Sequence, residues 1–239
     1  MAQDLHHEFH EHFEILTGAS ESLAGMAQAL RYQVYCLETG FENAADFPDG
    51  RERDLFDDHS VHGLIRFRET GEPLATVRLV LPDAADPARP LPLELHCREA
   101  AARASVMLEG WSRQGLAEIS RFAVSKQAMH RLKERGQSRQ LMLQVTLGLF
   151  HAVLRLAAEQ GVHHLYAVME PSLLRLLSRF GIVFHALGGV VPYHGWRQPC
   201  LGVAEEMLDG IYRQRRDLWY FITEGGELWN TQLEHPAAA

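Results

Sequence analysis

The run from Ser138 to Gln160, SRQLMLQVTLGLFHAVLRLAAEQ, is apolar on most of its circumference. A helix without a wide polar face has to be buried on nearly all sides, so a chain that contains one must supply cover for it. The rest of the sequence offers strands. Patterns rich in β-branched residues occupy 61–68 (VHGLIRFR), 74–81 (LATVRLVL) and 116–124 (LAEISRFAV), and Glu69-Thr70-Gly71-Glu72 joins the first two as a hairpin turn. Gly161 closes the apolar helix. His163–Met169 then reads as a strand, Pro171–Arg179 as a helix with proline in its first turn, and Gly181–Leu187 as a strand. A strand pair through 190–203 and a final helix over 204–217 follow. Towards the front, Leu23, Met26, Ala27, Leu30, Val34 and Leu37 recur three and four apart, which predicts an amphipathic helix over 21–39. Ser20 or Ser22 would cap it and Gly40 would end it. Residues 1–20 show no clean period and read as a charged, mobile segment; 82–115 is Pro-rich and then Ala-rich and carries no firm assignment. The order predicts one α/β (α+β) domain over residues 1–239, a sandwich with a mostly antiparallel sheet. Residues 1–20 would be a variable N-terminal segment and 219–239 a C-terminal tail.

With 239 residues, 46% hydrophobic and 23% charged, the chain can bury a sizeable core. A net charge of −8 argues against general nucleic-acid binding. Cys36, Cys97 and Cys200 are odd in number and show no pairing pattern, so no disulfide framework is expected. No window reads as a membrane span and the polar N-terminus does not read as a signal peptide, so a soluble, cytoplasmic protein is expected. His6, His7, His10 and His12 include helix-face spacings that suit a metal, but a charged N-terminal segment accounts for them more simply, and no metal is expected.

Charge is unevenly spread. Residues 1–60 hold 13 acidic and 3 basic residues, many of the acids in the loop 42–60: Glu42, Asp46, Asp49, Glu52, Asp54, Asp57 and Asp58. Residues 121–139 instead carry Arg121, Lys126, Arg131, Lys133, Arg135 and Arg139 against Glu134 alone. Such a patch is either a solvated helix face or a docking surface for a small acidic partner.

Four stretches stand out in order: Arg31-Tyr-Gln-Val-Tyr35, Asp54-Leu-Phe-Asp57, Thr76-Val-Arg78-Leu and Glu118-Ile-Ser-Arg-Phe122. Together they resemble the autoinducer synthases, which make acyl-homoserine lactones on an acetyltransferase-like (GNAT) fold. Arg31, Tyr35, Asp54, Asp57, Arg78, Glu118 and Arg121 match that family's set one by one, and Phe41 stands where the family has tryptophan. The stretches Ala167–Gly181 and Tyr193–Cys200 are similar to a narrower branch, the acyltransferases associated with the PEP-CTERM/exosortase system, which are linked to long-chain N-acyl amino acid synthesis. The resemblance covers roughly residues 15–215. It implies a GNAT-like fold, with its splayed central strand, and attack of an amine on an acyl thioester.

That reaction needs a base for the amine, donors for the oxyanion and a proton for the leaving thiolate. Glu118 is the candidate base, and Tyr193, His194 or Tyr166 could protonate the thiolate, although each could also be a packed aromatic. Strict alternation puts Glu118, Ser120 and Phe122 on one face of the strand and Arg121 on the other, so a shared site requires a bulge. A structural Glu118–Arg121 pair is the alternative. Asp54 and Asp57 could bind the acceptor's ammonium or hold Arg31 and Arg78; Arg78 could instead hold an acceptor carboxylate. Tyr35, Phe41 and Phe122 complete the expected substrate-binding set. Cys200 invites a thiol-nucleophile reading, but a buried structural cysteine is the simpler one.

The resemblance also places Arg131–Ser138 where acetyltransferases cradle a phosphate before a helix. Only Gly136 of the usual glycines is present. This favours an acyl-phosphopantetheine thioester on acyl carrier protein over acyl-CoA, with Lys126, Arg131, Lys133, Arg135, Gly136 and Arg139 as its contacts and no tightly bound cofactor. The expected function is transfer of a long-chain acyl group from acyl carrier protein to the amine of an amino acid or similar acceptor. An acyl-homoserine-lactone synthase using S-adenosylmethionine, or a non-catalytic acyl-carrier or lipid-binding module, are the alternatives.

Overall fold

The computed structural model describes residues 2–135 and 140–228. The chain opens with α1 (Ala2–His12), β1 (Phe13–Gly18) and α2 (Glu21–Arg31), the last running on into a π-helical segment, Tyr32–Glu38. Then come β2 (Ser60–Phe67), β3 (Pro73–Val80), α3 (Pro92–His96), α4 (Arg98–Met107), β4 (Leu116–Val124), α5 (Lys126–Glu134) and α6 (Leu141–Gln160). The remainder comprises β5 (His164–Met169), α7 (Pro171–Ser178), β6 (His185–Ala186), β7 (Val191–Pro192), β8 (Trp196–Val203), α8 (Ala204–Gln214) and α9 (Arg216–Ile222). Strand order is β1-β2-β3-β4-β5-β8-β6, with β7 on β8. Every pairing is antiparallel except β4 with β5. This is the GNAT-like α/β architecture that the sequence motifs imply.

Side-chain alternation divides the sheet into two faces. Val61, Ile65, Val77, Leu79, Ala117, Ile119, Leu165 and Ala167 face the main core, which α6 dominates. The neighbours His62, Thr76, Arg78, Glu118 and Tyr166 are buried polar groups on the other face, beneath α2, α3 and α4. By length and composition α6 could cross a bilayer, contrary to the sequence expectation, yet most of it is buried within the fold. Its polar breaks are too few to be read as a surface stripe, and the sheet and α9 cover it.

Several local expectations hold. Ser20 caps α2, its side chain accepting from the Leu23 N–H, and Gly161 ends α6 in the left-handed conformation at φ 65°. Pro171 opens α7. Others need correction. Where the sequence suggested a loose charged segment, Ala2–His12 form a helix and Phe13–Gly18 an edge strand, with Phe9 and Phe13 fully buried. The helix over 204–217 ends at Gln214, and α9 continues into the expected tail with Leu218, Phe221 and Ile222 fully buried. Of 181–187 only His185–Ala186 pairs as a strand. Gly181, at φ 84°, lies so close to α8 that a Cβ would stand 2.3 Å from the Gly210 carbonyl oxygen, so only glycine fits there, and its left-handed backbone is not that of a strand.

Candidate active site

β4 carries the irregularity that the motif required. Arg78 pairs with Ser120 and Thr76 with Ala123, so Arg121 and Phe122 together stand opposite Val77. Arg121 has φ 49°, unusual for a residue with a side chain. The extra residue reverses the alternation. Phe122 now packs towards α6, its ring 5.4 Å from that of Phe150, while Arg121 joins the polar face. β4 also parts from β5 here, since the parallel ladder runs only from Leu116↔His164 to Ile119↔Ala167.

Behind this point three arginines and three acids interlock. Arg31, at the end of α2, donates through Nε to Glu52 and through both terminal nitrogens to Asp57. Arg78 on β3 holds both oxygens of Asp54 at 2.6 and 2.9 Å, Asp57 at 2.9 Å and the Ser120 hydroxyl at 2.9 Å. Arg121 reaches Glu52 and Asp54, each at 2.9 Å from Nη2, and its guanidinium lies 5.5 Å from the Tyr35 ring centre. Burial is the strongest single influence on the three carboxyls and would raise them, but the arginines together outweigh it and hold Glu52, Asp54 and Asp57 below the usual carboxylate range. His62, packed against Asp57, is driven down to about 4 by burial and by Arg31.

Of the open alternatives for these residues, the structure realises the ion-pair one. Arg31 is fully buried and Arg78 is 1% exposed, and neither they nor Asp54 and Asp57 line the cleft described below. Their donors and acceptors meet one another in the ion-pair arrangement that the sequence left open beside direct substrate contact by Arg31, Asp54, Asp57 and Arg78. Glu52 and His62 were not recognised as members. Three acids at 52, 54 and 57 facing three motif arginines is the charge match that could have exposed Glu52.

In front of the lattice lies a cleft of about 500 Å³. Its polar wall brings together Tyr35, Phe41, Glu118, Arg121, Tyr193 and His194, with Phe122 among the apolar residues; Glu42 and Arg197, which were not singled out, also line it. Ile119, Val124, Val168, Met169, Leu173 and Leu176 supply the apolar surface between β4, β5 and α7. Glu118 is 2% exposed and accepts one hydrogen bond, 2.7 Å from the Leu93 N–H on α3. Burial pushes its pKa up to about 8, against the smaller opposing effects of that hydrogen bond and Arg78. The Tyr193 hydroxyl is raised by burial and feels both Arg121 and Glu118. His194, at φ 46°, has its imidazole lowered by burial and lies 3.6 Å from Glu42. Tyr166 pairs in register with Glu118 but is 2% exposed and outside this cleft. Cys200 is fully buried and donates to the Ala167 carbonyl at 3.2 Å; burial pushes its thiol well up, as suits a structural cysteine.

The basic segment is only partly free. Arg131 is bound to Glu72, while Lys126, Lys133 and Arg135 are exposed along and just beyond α5; Gly136 and Arg139 lie outside the described residues. The first turn of α5 is occupied by Glu38, whose carboxylate accepts from the Ser125 hydroxyl at 2.6 Å and the Lys126 N–H at 2.8 Å. That contact ties the π-helical segment, and with it Tyr35, to the end of β4.

Residues 30–135 match the model of an acetyltransferase (GNAT) domain. No curated protein sequence matches the chain. Among solved structures, the acyl-homoserine-lactone synthase LasI superposes with a TM-score of 0.58 at 20% identity, over 80% of this chain and 89% of that one. The CoA-dependent acyl-homoserine-lactone synthase BjaI, with SAM and isopentyl-CoA, gives 0.59 at 21% identity over 84% and 88%. FeeM, an N-acyl amino acid synthase from uncultured soil microbes, gives 0.53 at 17% identity over 84% and 96%. The chain therefore carries a GNAT acetyltransferase domain over residues 30–135, inside a GNAT-like fold, and through that domain is an enzyme of the acyltransferase type.

Proposed function

We propose that the protein moves a long-chain fatty acyl group from acyl carrier protein to the amine of an amino acid or a similar small acceptor, as the sequence resemblance to the PEP-CTERM/exosortase-associated branch implies. The observation that carries this reading is Glu118: a buried carboxyl, raised to about 8, at the polar wall of an apolar-floored cleft where two parallel strands part. The acyl chain lies along Phe122, Val168, Leu173 and Leu176. Glu118 in its ionised form takes a proton from the acceptor's ammonium, directly or through a water, and the freed amine attacks the thioester carbonyl. Backbone N–H groups released from the ladder beyond Ile119 face the developing oxyanion. The C–S bond then breaks, and Tyr193 or His194 returns a proton to the leaving thiolate. Arg121, pinned by Glu52 and Asp54, fixes the Tyr193 hydroxyl. Exposed Lys126, Lys133 and Arg135 suit an acidic carrier protein, which goes with a cytoplasmic site of action.

A second reading is favoured by the fold comparisons, several of which are acyl-homoserine-lactone synthases. Purified protein is incubated with acyl-carrier-protein and CoA thioesters of several lengths, the twenty amino acids and S-adenosylmethionine, and products are read by mass spectrometry. A mass equal to fatty acid plus amino acid minus water is the expected result. An acyl-homoserine lactone moves the protein to the second reading. Carrier binding with no product from any pairing points to a binding module.

A further inference from the structure

Resting on the amino-acid acceptor reading, we infer that Arg197 holds the acceptor's carboxylate, so that the acceptor must carry a free one. The argument is one of charge accounting. An acceptor carboxylate taken out of water needs a cation with unspent donors. Arg31 and Arg78 are sealed within the acid lattice and do not reach the cleft. Arg121 reaches it, but Nε and Nη2 already serve Glu52 and Asp54. Arg197 lines the same cleft from β8, and its ionic partner is Glu170, 3.0 Å away and itself more than half exposed. The other Glu170 oxygen accepts from the Ser172 hydroxyl at 3.2 Å, and a carboxylate so placed at the water boundary is an exchangeable partner, unlike those in the lattice.

Position agrees with this role. Arg197 and Arg121 both bear on the His194 imidazole, and Arg121 and Glu118 both bear on the Tyr193 hydroxyl. The cleft wall thus runs from the carboxyl that would take the amine's proton, past Tyr193 and His194, to a guanidinium that can take an anion. Arg197 pairs with Val191 on β8, and its guanidinium passes close to the backbone bend at Gly195, which has φ 96°. The planar fork can bind a carboxylate through two parallel hydrogen bonds.

An anion in the cleft has one other source, the phosphate of the donor's pantetheine arm, and the test separates the two. Binding is measured by calorimetry, without turnover, for an N-dodecanoyl amino acid, its primary amide, and acyl-pantetheine with and without the 4′-phosphate. The wild type is expected to prefer the carboxylate over the amide by about tenfold to a hundredfold, the usual span for a hydrogen bond to a charged group. Arg197→Ala should abolish that preference, Arg197→Lys should restore part of it, and Glu170→Ala, which removes the competing carboxylate, should strengthen it. Unchanged dependence on the phosphate across these variants completes the expected pattern. A wild type indifferent to the carboxylate, or an Arg197→Ala variant that keeps the preference and loses discrimination for the phosphate, overturns the assignment. A thermal melt shows whether each variant is folded, and Arg197→Lys serves as the readout if the alanine variant is not. Because product binding is measured apart from catalysis, failure to acylate any amino acid would sink the acceptor reading in a separate experiment.

Discussion

Arg31 and Asp57 meet at two points inside the protein, Nη1 to Oδ1 at 2.5 Å and Nη2 to Oδ2 at 3.0 Å, with the arginine fully buried. Asp57 at the same time accepts from Arg78, so one carboxylate joins the helix α2 to the sheet. Breaking a buried pair from one side leaves a charge with no compensation. Asp57→Ala is therefore expected to cost about 3–5 kcal/mol in chemical denaturation. A loss below about 1 kcal/mol would show that water or Glu52 can satisfy Arg31, and that the lattice does not hold the helix.

The same lattice fixes an acid dependence. Glu52, Asp54 and Asp57 are all lowered from ordinary values of 4.5, 3.8 and 3.8. Below those values the unfolded chain binds protons that the native state refuses, so stability is fully present above about pH 5 and falls as pH drops further. Denaturation midpoints between pH 3 and 6 should show this slope, and Asp54→Asn, whatever its absolute cost, should flatten it. A midpoint that stays level down to pH 3 contradicts the charge assignment.

How much of this was legible beforehand divides along a physical line. Local signals were readable: the caps at Ser20 and Gly161, the β2–β3 hairpin, and the bounds of β4 follow from neighbouring residues alone. The demand for a bulge at Arg121 was readable too, because alternation separates residues that the motif needs together. The direction of that bulge, and the swap of Phe122 towards α6, depend on packing and were not. Residues 1–20 and α9 were missed because each is meaningful only through the other: Phe9 meets Phe221 at 4.9 Å across more than two hundred residues of chain. Arg197 carried no signal in the sequence, since one arginine within a proline-containing strand says nothing about which charges in the cleft are already spent.

Glu118 behaves opposite to the lattice acids. Its pKa rises from 4.5 to about 8 through burial, so the native state holds its proton more tightly than the unfolded chain does. Stability from this group is full below pH 4.5 and declines as pH rises towards 8. Glu118→Gln should remove that decline and be relatively more stable at pH 9 than at pH 5. For catalysis the sign reverses: the ionised form is the base, so kcat/KM should climb through about pH 8. Glu118→Gln should lower turnover roughly 10²–10⁴-fold while leaving thioester binding in place. A variant with near-normal turnover, or a rate that falls between pH 7 and 8, removes Glu118 as the base.

Cys200 offers a check on the rival nucleophile. Its thiol is buried against the Ala167 carbonyl and raised by desolvation, conditions that suppress thiolate. Iodoacetamide should leave Cys200 unlabelled in the native protein and label it after unfolding, and Cys200→Ala should retain turnover. Rapid native labelling at this position, detected by peptide mass spectrometry, would reopen the covalent route.

The last prediction concerns α9, which closes the core from the C-terminal side. Phe221 is fully buried, 4.9 Å from the rings of Phe9 and His151 and 6.1 Å from that of His10. It therefore fills the space between α1 and the apolar α6, the helix whose burial the sequence demanded at the outset. Removing its ring loses transfer energy and leaves a cavity that rigid neighbours cannot close, so Phe221→Ala should cost about 3–5 kcal/mol. The damage should be directional: amide exchange should quicken across residues 2–18 as well as 216–222, while β4 and the Arg31–Asp57 contact stay protected. Exchange that quickens uniformly would mean that α1 and α9 unfold only with the whole domain. Exchange unchanged at residues 2–18 would mean that α1 is anchored without α9.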